Sequence, residues 1–198
     1  MKKLLIVGDS FCSPNQETYS WHNQLNSYYS ITNLGQNGVG QYKIHQQLMS
    51  VPVEQYDGVL MLATSPYRIH VESNPFYDSK HQSHYNADLL YADILHKEPG
   101  HNKDHVIWWF EKIFDLEQAR FQQLATINWD IQYLKKYNKP YCVINFFDKI
   151  ISTDFPVESL NQIWRKYPGT INHLSAQGHN VVFQQLITLL SKIHSAAA

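Results

Sequence analysis

Four short apolar runs constrain the fold of this chain more than any other feature of its sequence. Each run holds five to seven residues, and its apolar side chains follow one another instead of alternating with polar ones. Such runs are typical of parallel strands covered on both faces. Helical segments separate them, which predicts a doubly wound α/β fold with ligands beyond the carboxyl ends of the strands. The predicted strands are Lys3–Val7, Ser30–Leu34, Gly58–Ala63 and Tyr141–Phe147.

One long polar segment interrupts the alternation of predicted strands and helices. Residues 65–103 are rich in His, Tyr, Asn and Pro. A loop of this length inside a compact domain is typical of a lid or binding loop. Disorder is the competing interpretation, although the apolar residues between positions 85 and 94 also suit a short helix. We therefore predict one domain over residues 1–195, with a lid inserted at about 65–103. The predicted helices are Thr18–Ser27, Tyr42–Met49, Asp104–Tyr137 and Ala176–Ile193.

Charge and composition exclude several classes of function. The 16 basic and 17 acidic residues leave a net charge of −1, which gives no electrostatic reason to bind nucleic acid. No stretch approaches the roughly 18 apolar residues of a membrane span. The apolar run at the N-terminus is shorter than the ~7–15 residues of a signal-peptide core, so we expect a cytoplasmic protein. Two cysteines imply no disulfide framework, and the oligomeric state stays open.

Two polar positions near opposite ends of the chain suit nucleophilic catalysis. Ser10 follows the first strand in Gly-Asp-Ser, where it could be a turn residue, a helix cap or a nucleophile. His173 lies on the loop that enters the last helix, for which Ser175 is a plausible N-cap. His179 shares a helical face with apolar residues such as Val182 and is interpreted as a packed, structural histidine.

Three blocks of sequence together resemble the SGNH, or GDSL-like, hydrolase superfamily. They are Gly8-Asp9-Ser10-Phe11, then Asn33 with Gly38 five residues later, then "HLSAQGH" beginning at His173. The blocks occur in the family's order and span nearly the whole chain. The resemblance implies a flavodoxin-like three-layer α/β/α sandwich with a central, mainly parallel sheet. It also implies a serine esterase, of a family that includes lipases, thioesterases and carbohydrate deacetylases.

The resemblance assigns roles to particular residues. Ser10 would be the nucleophile and His173 the general base and later acid. The backbone N–H groups of Ser10 and Gly38 would donate to the oxyanion. Ser65 stands where the family has an oxyanion Asn, so Ser65 or the adjacent Thr64 would substitute, or another side chain would enter from the long loop. Thr170 replaces the Asp that normally orients the histidine, which leaves open a Ser–His dyad or another orienting group. The candidate orienting groups are the Thr170 hydroxyl, the Asn172 amide, Asp148, Asp154 and a backbone carbonyl.

The remaining candidate residues concern substrate binding, structure and metal binding. Arg68 and Tyr67 are possible substrate-binding residues, with a surface salt bridge as the alternative role for Arg68. Asp9 is expected to be structural. The histidine spacing matches no standard ligand pattern, so no metal or other cofactor is expected.

The expected substrate is a small ester, possibly an O-acetyl group on a carbohydrate. A degenerate, non-catalytic module that binds a glycan or a protein is the alternative, and a domain that binds a phosphorylated ligand ranks last.

Overall fold

The central sheet contains four parallel strands in the order β2-β1-β3-β6. The structure is a computed structural model and describes residues 1–14, 18–77, 86–97, 101–145, 160–169 and 173–196. The expected central parallel sheet is confirmed. The second strand ends earlier than expected, at Asn33, and Phe146 and Phe147 of the predicted fourth strand lie outside the described residues. The strands are Lys3–Val7 (β1), Ser30–Asn33 (β2), Gly58–Ala63 (β3) and Tyr141–Asn145 (β6).

Helices cover both faces of this sheet, as the continuous apolar runs predict. Leu4 and Ile6 of β1 face one apolar cluster, which includes residues of α1, α6 and α7. Leu5 and Val7 face the other, with residues of α2 and α5. The protein is therefore a three-layer α/β/α sandwich. Its helices are Trp21–Gln24 (α1), Gln41–Met49 (α2), Tyr91–Leu95 (α3), His101–Lys112 (α4), Leu116–Lys136 (α5), Leu160–Lys166 (α6) and Ala176–Ala196 (α7).

The single helix expected over Asp104–Tyr137 is wrong, because the chain bends between α4 and α5. Asp115 has extended backbone angles, and its carboxylate accepts hydrogen bonds from Glu117 N at 2.8 Å and Gln118 N at 3.1 Å. These bonds cap the first turn of α5 and start a new helix. The capping aspartate was hidden inside a stretch of otherwise strong helix formers.

The bend lets α4 pack against the long inserted segment while α5 packs against the sheet. Within that segment, Arg68–Ile69 (β4) pairs antiparallel with Leu89–Leu90 (β5), and α3 follows directly. Leu89, Ile94 and Phe110 form a separate small apolar cluster. The described part of the segment thus has a core of its own. Among the described helices, none has the length and apolar character that crossing a membrane requires.

Candidate functional site

The candidate site lies where β1 and β3 end side by side. In the order β2-β1-β3-β6, the connections turn to opposite sides of the sheet at this point, which is where ligands bind in doubly wound folds. Gly8, Asp9 and Ser10 follow β1, and Thr64 and Ser65 follow β3. The Thr64 hydroxyl donates to Asp9 Oδ2 at 2.9 Å and joins the two strand ends.

Asp9 shapes the turn that carries Ser10. Its carboxylate is buried and accepts from Phe11 N at 3.1 Å, while its carbonyl accepts from Cys12 N at 3.1 Å. Ser10 stands on this turn and is partly exposed. Burial raises the pKa of the Asp9 carboxyl, and the charge of Arg68 is the first of several groups that oppose the rise. The expectation that Asp9 is structural agrees with these bonds.

Gln47 of α2 fixes the start of the same turn, and the sequence analysis missed it. Its side-chain amide makes two hydrogen bonds to the backbone of Gly8: Oε1 accepts from Gly8 N at 2.8 Å, and Nε2 donates to Gly8 O at 3.1 Å. A Cβ at Gly8 would lie 2.7 Å from Cys12 Sγ. The sequence signal for this contact was a polar residue next to Leu48 on the buried face of α2.

The second loop, after β2, is joined to the first by Asn33. Its Oδ1 accepts from Gly35 N at 2.9 Å, and its Nδ2 donates to Cys12 O at 2.6 Å. Gly38 on this loop has a φ of +73°, a backbone region that favours glycine. The Gly38 carbonyl accepts from Asp88 N at 2.9 Å and from Arg68 Nη1 at 3.0 Å.

Asp88, in the inserted segment, is a second residue that the sequence analysis missed. Its carboxylate is fully buried and lies 3.0 Å from Lys43 Nζ and 3.3 Å from His70 Nδ1. It also accepts from Gly40 N at 2.5 Å and Val71 N at 3.1 Å. The inserted segment therefore holds the loop of Gly38 in place. Lys43 on the buried face of α2 indicated that an acid would be near, but not which one.

His173 lies beside the turn that carries Ser10. Its ring is 5.4 Å from the Phe11 ring, centroid to centroid. The expected N-cap at Ser175 is confirmed, because Ser175 Oγ accepts from Gly178 N at 3.3 Å. Burial lowers the pKa of His173, and the Asp9 carboxylate opposes that change. A histidine with a lowered pKa is neutral near pH 7 and can accept a proton.

The candidates around β3 differ in what their side chains do. The Thr64 hydroxyl already donates to Asp9, so the alternative that Thr64 replaces the oxyanion Asn is wrong. Ser65 Oγ accepts from Tyr67 N at 3.3 Å, a bond that uses an acceptor lone pair and not the hydroxyl hydrogen. Tyr67 is exposed. Arg68 is half-buried, and its Nη1 donates to the Gly38 carbonyl. The candidate orienting groups of His173, namely Thr170, Asn172, Asp148 and Asp154, lie outside the described residues.

A cavity of about 420 Å³ opens next to these residues. Ser65 and Arg68 line it, together with residues from the start of α2 and from the bend between α4 and α5. Ser10 and His173 do not line it. The cavity thus opens beside the end of β3, at Ser65. In the described part of the chain, no group of three or more His, Cys, Asp or Glu side chains is arranged to hold a metal ion.

His179 is buried, as expected, and its hydrogen bond is structural. Its Nδ1 accepts from Trp21 N at 3.2 Å, which requires an unprotonated Nδ1. Burial lowers the pKa of His179 to about 4 and that of the neighbouring His22 to about 4. Both rings are therefore neutral in the folded protein at moderate acidity, whereas histidines in the unfolded chain titrate near 6.5.

Acid is expected to unfold the protein partly through these two histidines. Between pH 6.5 and 4 these two histidines bind more protons in the unfolded chain than in the folded one, so their contribution to the free energy of unfolding falls as the pH falls. His179→Gln, whose amide oxygen can still accept from Trp21 N, should lower that slope by up to about 1.4 kcal/mol per pH unit. Urea melts from pH 7 to 4.5 measure the slope. The exposed His96→Gln is the matched control, and an equal slope in wild type and His179→Gln would contradict the assignment.

Comparison with known proteins gives structural likeness but no match in sequence. No protein-family model matches the chain, and no curated protein matches it in sequence. Among solved structures, it resembles a GDSL-like lipase from Bacteroides thetaiotaomicron with a TM-score of 0.42 and 12% identity. The match covers 96% of this chain and 88% of the lipase. A likeness at this TM-score carries no weight for function, so the roles proposed below depend on the chain's own residues.

Proposed function

We propose that the protein is a serine esterase that hydrolyses a small ester, such as an O-acetyl group on a carbohydrate. Ser10 is the proposed nucleophile and His173 the proposed general base. The observation that carries the proposal is the contact of the His173 ring with the ring of Phe11, the residue that follows Ser10 in the chain. The lowered pKa of His173 supports it, because a neutral imidazole is the form that accepts the serine proton.

The proposed reaction has two steps. Ser10 Oγ forms a bond to the acyl carbon while its proton passes to His173, and a tetrahedral intermediate results. The intermediate collapses, the bond to the alcohol oxygen breaks, and His173 gives the proton to the leaving alcohol. A water molecule then attacks the acyl carbon of the acyl-enzyme and gives a proton to His173. The bond from Ser10 Oγ to the acyl carbon breaks, the carboxylic acid leaves, and His173 returns the proton to Ser10 Oγ.

The negative charge of the intermediate needs hydrogen-bond donors. The proposed donors are the backbone N–H groups of Ser10 and Gly38 and the hydroxyl of Ser65. The bonds from Asp88 and Arg68 to the Gly38 carbonyl support this assignment, because they fix the loop before substrate arrives. Preorganised donors of this kind each contribute roughly 3 kcal/mol to transition-state stabilisation.

Positive charge on His173 also needs a partner. Among the described residues, Asp9 is a buried carboxylate whose charge favours protonated His173. Thr170, Asn172, Asp148 and Asp154 remain proposed orienting groups. Arg68 and Tyr67 remain proposed substrate-binding residues. Tyr67 is exposed beside Ser65, and Arg68 lines the neighbouring cavity.

The domain organisation is proposed on the same basis. Residues 1–195 form one domain, and residues 65–103 are a lid inserted after β3. The buried ion pair of Asp88 with Lys43 supports this proposal, because it links the inserted segment to α2 of the main body.

Labelling with a fluorophosphonate probe tests the function directly. Such probes phosphonylate a serine whose proton is removed by a nearby base. We expect one equivalent of label on Ser10, located by mass spectrometry of the digested protein. His173→Ala should lower the labelling rate by about 10²-fold or more. The exposed His96→Ala, far along the chain from this site, is the control and should label at the wild-type rate.

Absence of label on Ser10 in the folded wild-type protein would overturn the proposal. It would favour the alternative of a non-catalytic module that binds a glycan or a protein. Label on a different serine would equally contradict the assignment of the nucleophile.

A further inference from the structure

The cavity beside Ser65 carries an inference that deepens the proposed function. We propose that this cavity binds a neutral sugar ring, the alcohol part of the ester, and that Gln41 and Trp109 recognise it. The inference rests on the proposed function for the identity of the bond that is cleaved, but not for the binding itself. A volume of about 420 Å³ falls within the usual range of small-molecule sites.

The walls come from three elements that meet at the end of the sheet. Gln41 and Tyr42 at the start of α2 form one wall, and Ser65 and Arg68 after β3 form the second. The third wall is the bend between α4 and α5, including Trp109 and Phe114. The capping bonds of Asp115 start α5 at this bend, so the cavity depends on them.

Gln41 provides an acceptor that needs a donor. Its side chain is only 7% exposed, and its Oε1 is buried without a hydrogen-bond partner among the described residues. Its Nε2 points to the sulfur of Met61 at 3.8 Å. A buried acceptor left unsatisfied costs about 1–3 kcal/mol. A hydroxyl group bound in the cavity would supply the missing donor.

Arg68 provides donors to the same cavity. A guanidinium group has five N–H donors, and Nη1 bonds to the Gly38 carbonyl at 3.0 Å. The remaining N–H groups suit an oxygen acceptor. A ligand that must donate to Gln41 and accept from Arg68 needs groups that do both, and hydroxyl groups have this property.

The charges around the cavity favour a neutral ligand over an anion. The buried Asp9 carboxylate already interacts with the charge of Arg68. His70 lies 3.3 Å from the Asp88 carboxylate, which also pairs with Lys43. The positive groups at this wall are thus balanced by buried acids.

The aromatic wall suits the flat apolar face of a sugar ring. Trp109 is half-buried, and its ring is held edge-on against Phe110 at 5.4 Å and tilted against Phe114 at 5.9 Å. A ring held in this way offers apolar area without loss of side-chain entropy on binding. A long acyl chain is a poorer fit, because amide side chains interrupt the apolar wall. These are Gln118, Gln122 and Gln123.

Binding of non-hydrolysable methyl glycosides tests the inference without any turnover. The probes are the methyl pyranosides of glucose, galactose, mannose and xylose, with methyl glucuronide and hexanoate as the anionic and acyl arms. Calorimetry and tryptophan fluorescence give Kd. We expect at least one neutral glycoside to bind, and Gln41→Leu and Trp109→Ala each to weaken it about tenfold or more. The exposed neighbours Gln46→Leu and Trp108→Ala should bind as the wild type does.

Each outcome separates this inference from the proposed function. No binding of any neutral glycoside, or binding that Gln41→Leu leaves unchanged, overturns the cavity assignment even if Ser10 labels. Preferential binding of glucuronide or hexanoate overturns the neutral-sugar assignment. Glycoside binding that depends on Gln41, in a protein whose Ser10 does not label, overturns the esterase and leaves the cavity assignment standing. Gln41→Leu replaces an unsatisfied polar atom, so its thermal unfolding should match that of the wild type and show that the variant is folded.

Discussion

Ser10→Ala is expected to lower kcat/KM for 4-nitrophenyl acetate by about 10³-fold or more. The reason is that the proposed mechanism forms its acyl-enzyme on Ser10 Oγ, so removal of this hydroxyl leaves no nucleophile on the turn beside His173. Stability should change by less than about 1 kcal/mol, since the side chain is partly exposed and alanine suits the turn. Initial rates at pH 7.5 and urea melts of both proteins measure the two effects.

The exposed Ser73→Ala, in the inserted segment, is the matched control for this experiment. It should keep wild-type activity, because Ser73 lies outside the turn and the neighbouring loop. Wild-type rates in Ser10→Ala would remove Ser10 from the mechanism. A rate lost together with stability would instead show that the hydroxyl holds the turn.

The sheet and the turn of Ser10 could be predicted because their signals are local. The runs that became β1 and β3 are continuous and apolar, and each is followed at once by small polar residues. Parallel pairing then brings the ends of these strands together without further information. The bond between Thr64 and Asp9 is the direct result.

The hydrogen bonds that hold the site in place could not be predicted, because each joins two segments that are far apart in the sequence. Gln47 is 39 residues from Gly8, and Asp88 is 48 residues from Gly40. A buried polar residue on a helix shows that a partner exists, but only the folded chain selects the partner. The same limit applies to Gln41, whose unsatisfied oxygen becomes visible only when the cavity around it is known.

The sequence contains a local signal for the break between α4 and α5, but the helical propensity of the flanking segments outweighed it. Asp115 follows a phenylalanine and precedes a run of strong helix formers, which is a capping pattern. The helical propensity of the flanking segments favoured a continuous helix. The cap prevails because α4 has an apolar cluster of its own to cover, formed with Leu89 and Ile94.

Gly38→Ala is expected to damage both stability and catalysis. The φ of +73° costs an L-residue about 1–2 kcal/mol. A Cβ at this position would also lie 2.7 Å from Ala87 Cβ, so the loop and the inserted segment must move apart. That movement weakens the bonds to the Gly38 carbonyl and shifts the proposed oxyanion donor. We expect a loss of about 2 kcal/mol in the free energy of unfolding and about 10²-fold or more in kcat.

The double variant Gly38→Ala with Ala87→Gly separates the two causes. Removing the Ala87 methyl group relieves the clash, but the strained backbone angle remains. Stability should therefore recover in part. Activity should recover only so far as the loop returns to its position, and Ala87→Gly alone is the control. Full wild-type kcat in Gly38→Ala, with stability reduced as expected, would show that the Gly38 N–H does not act on the transition state. In that case the oxyanion would depend on Ser10 N–H and Ser65.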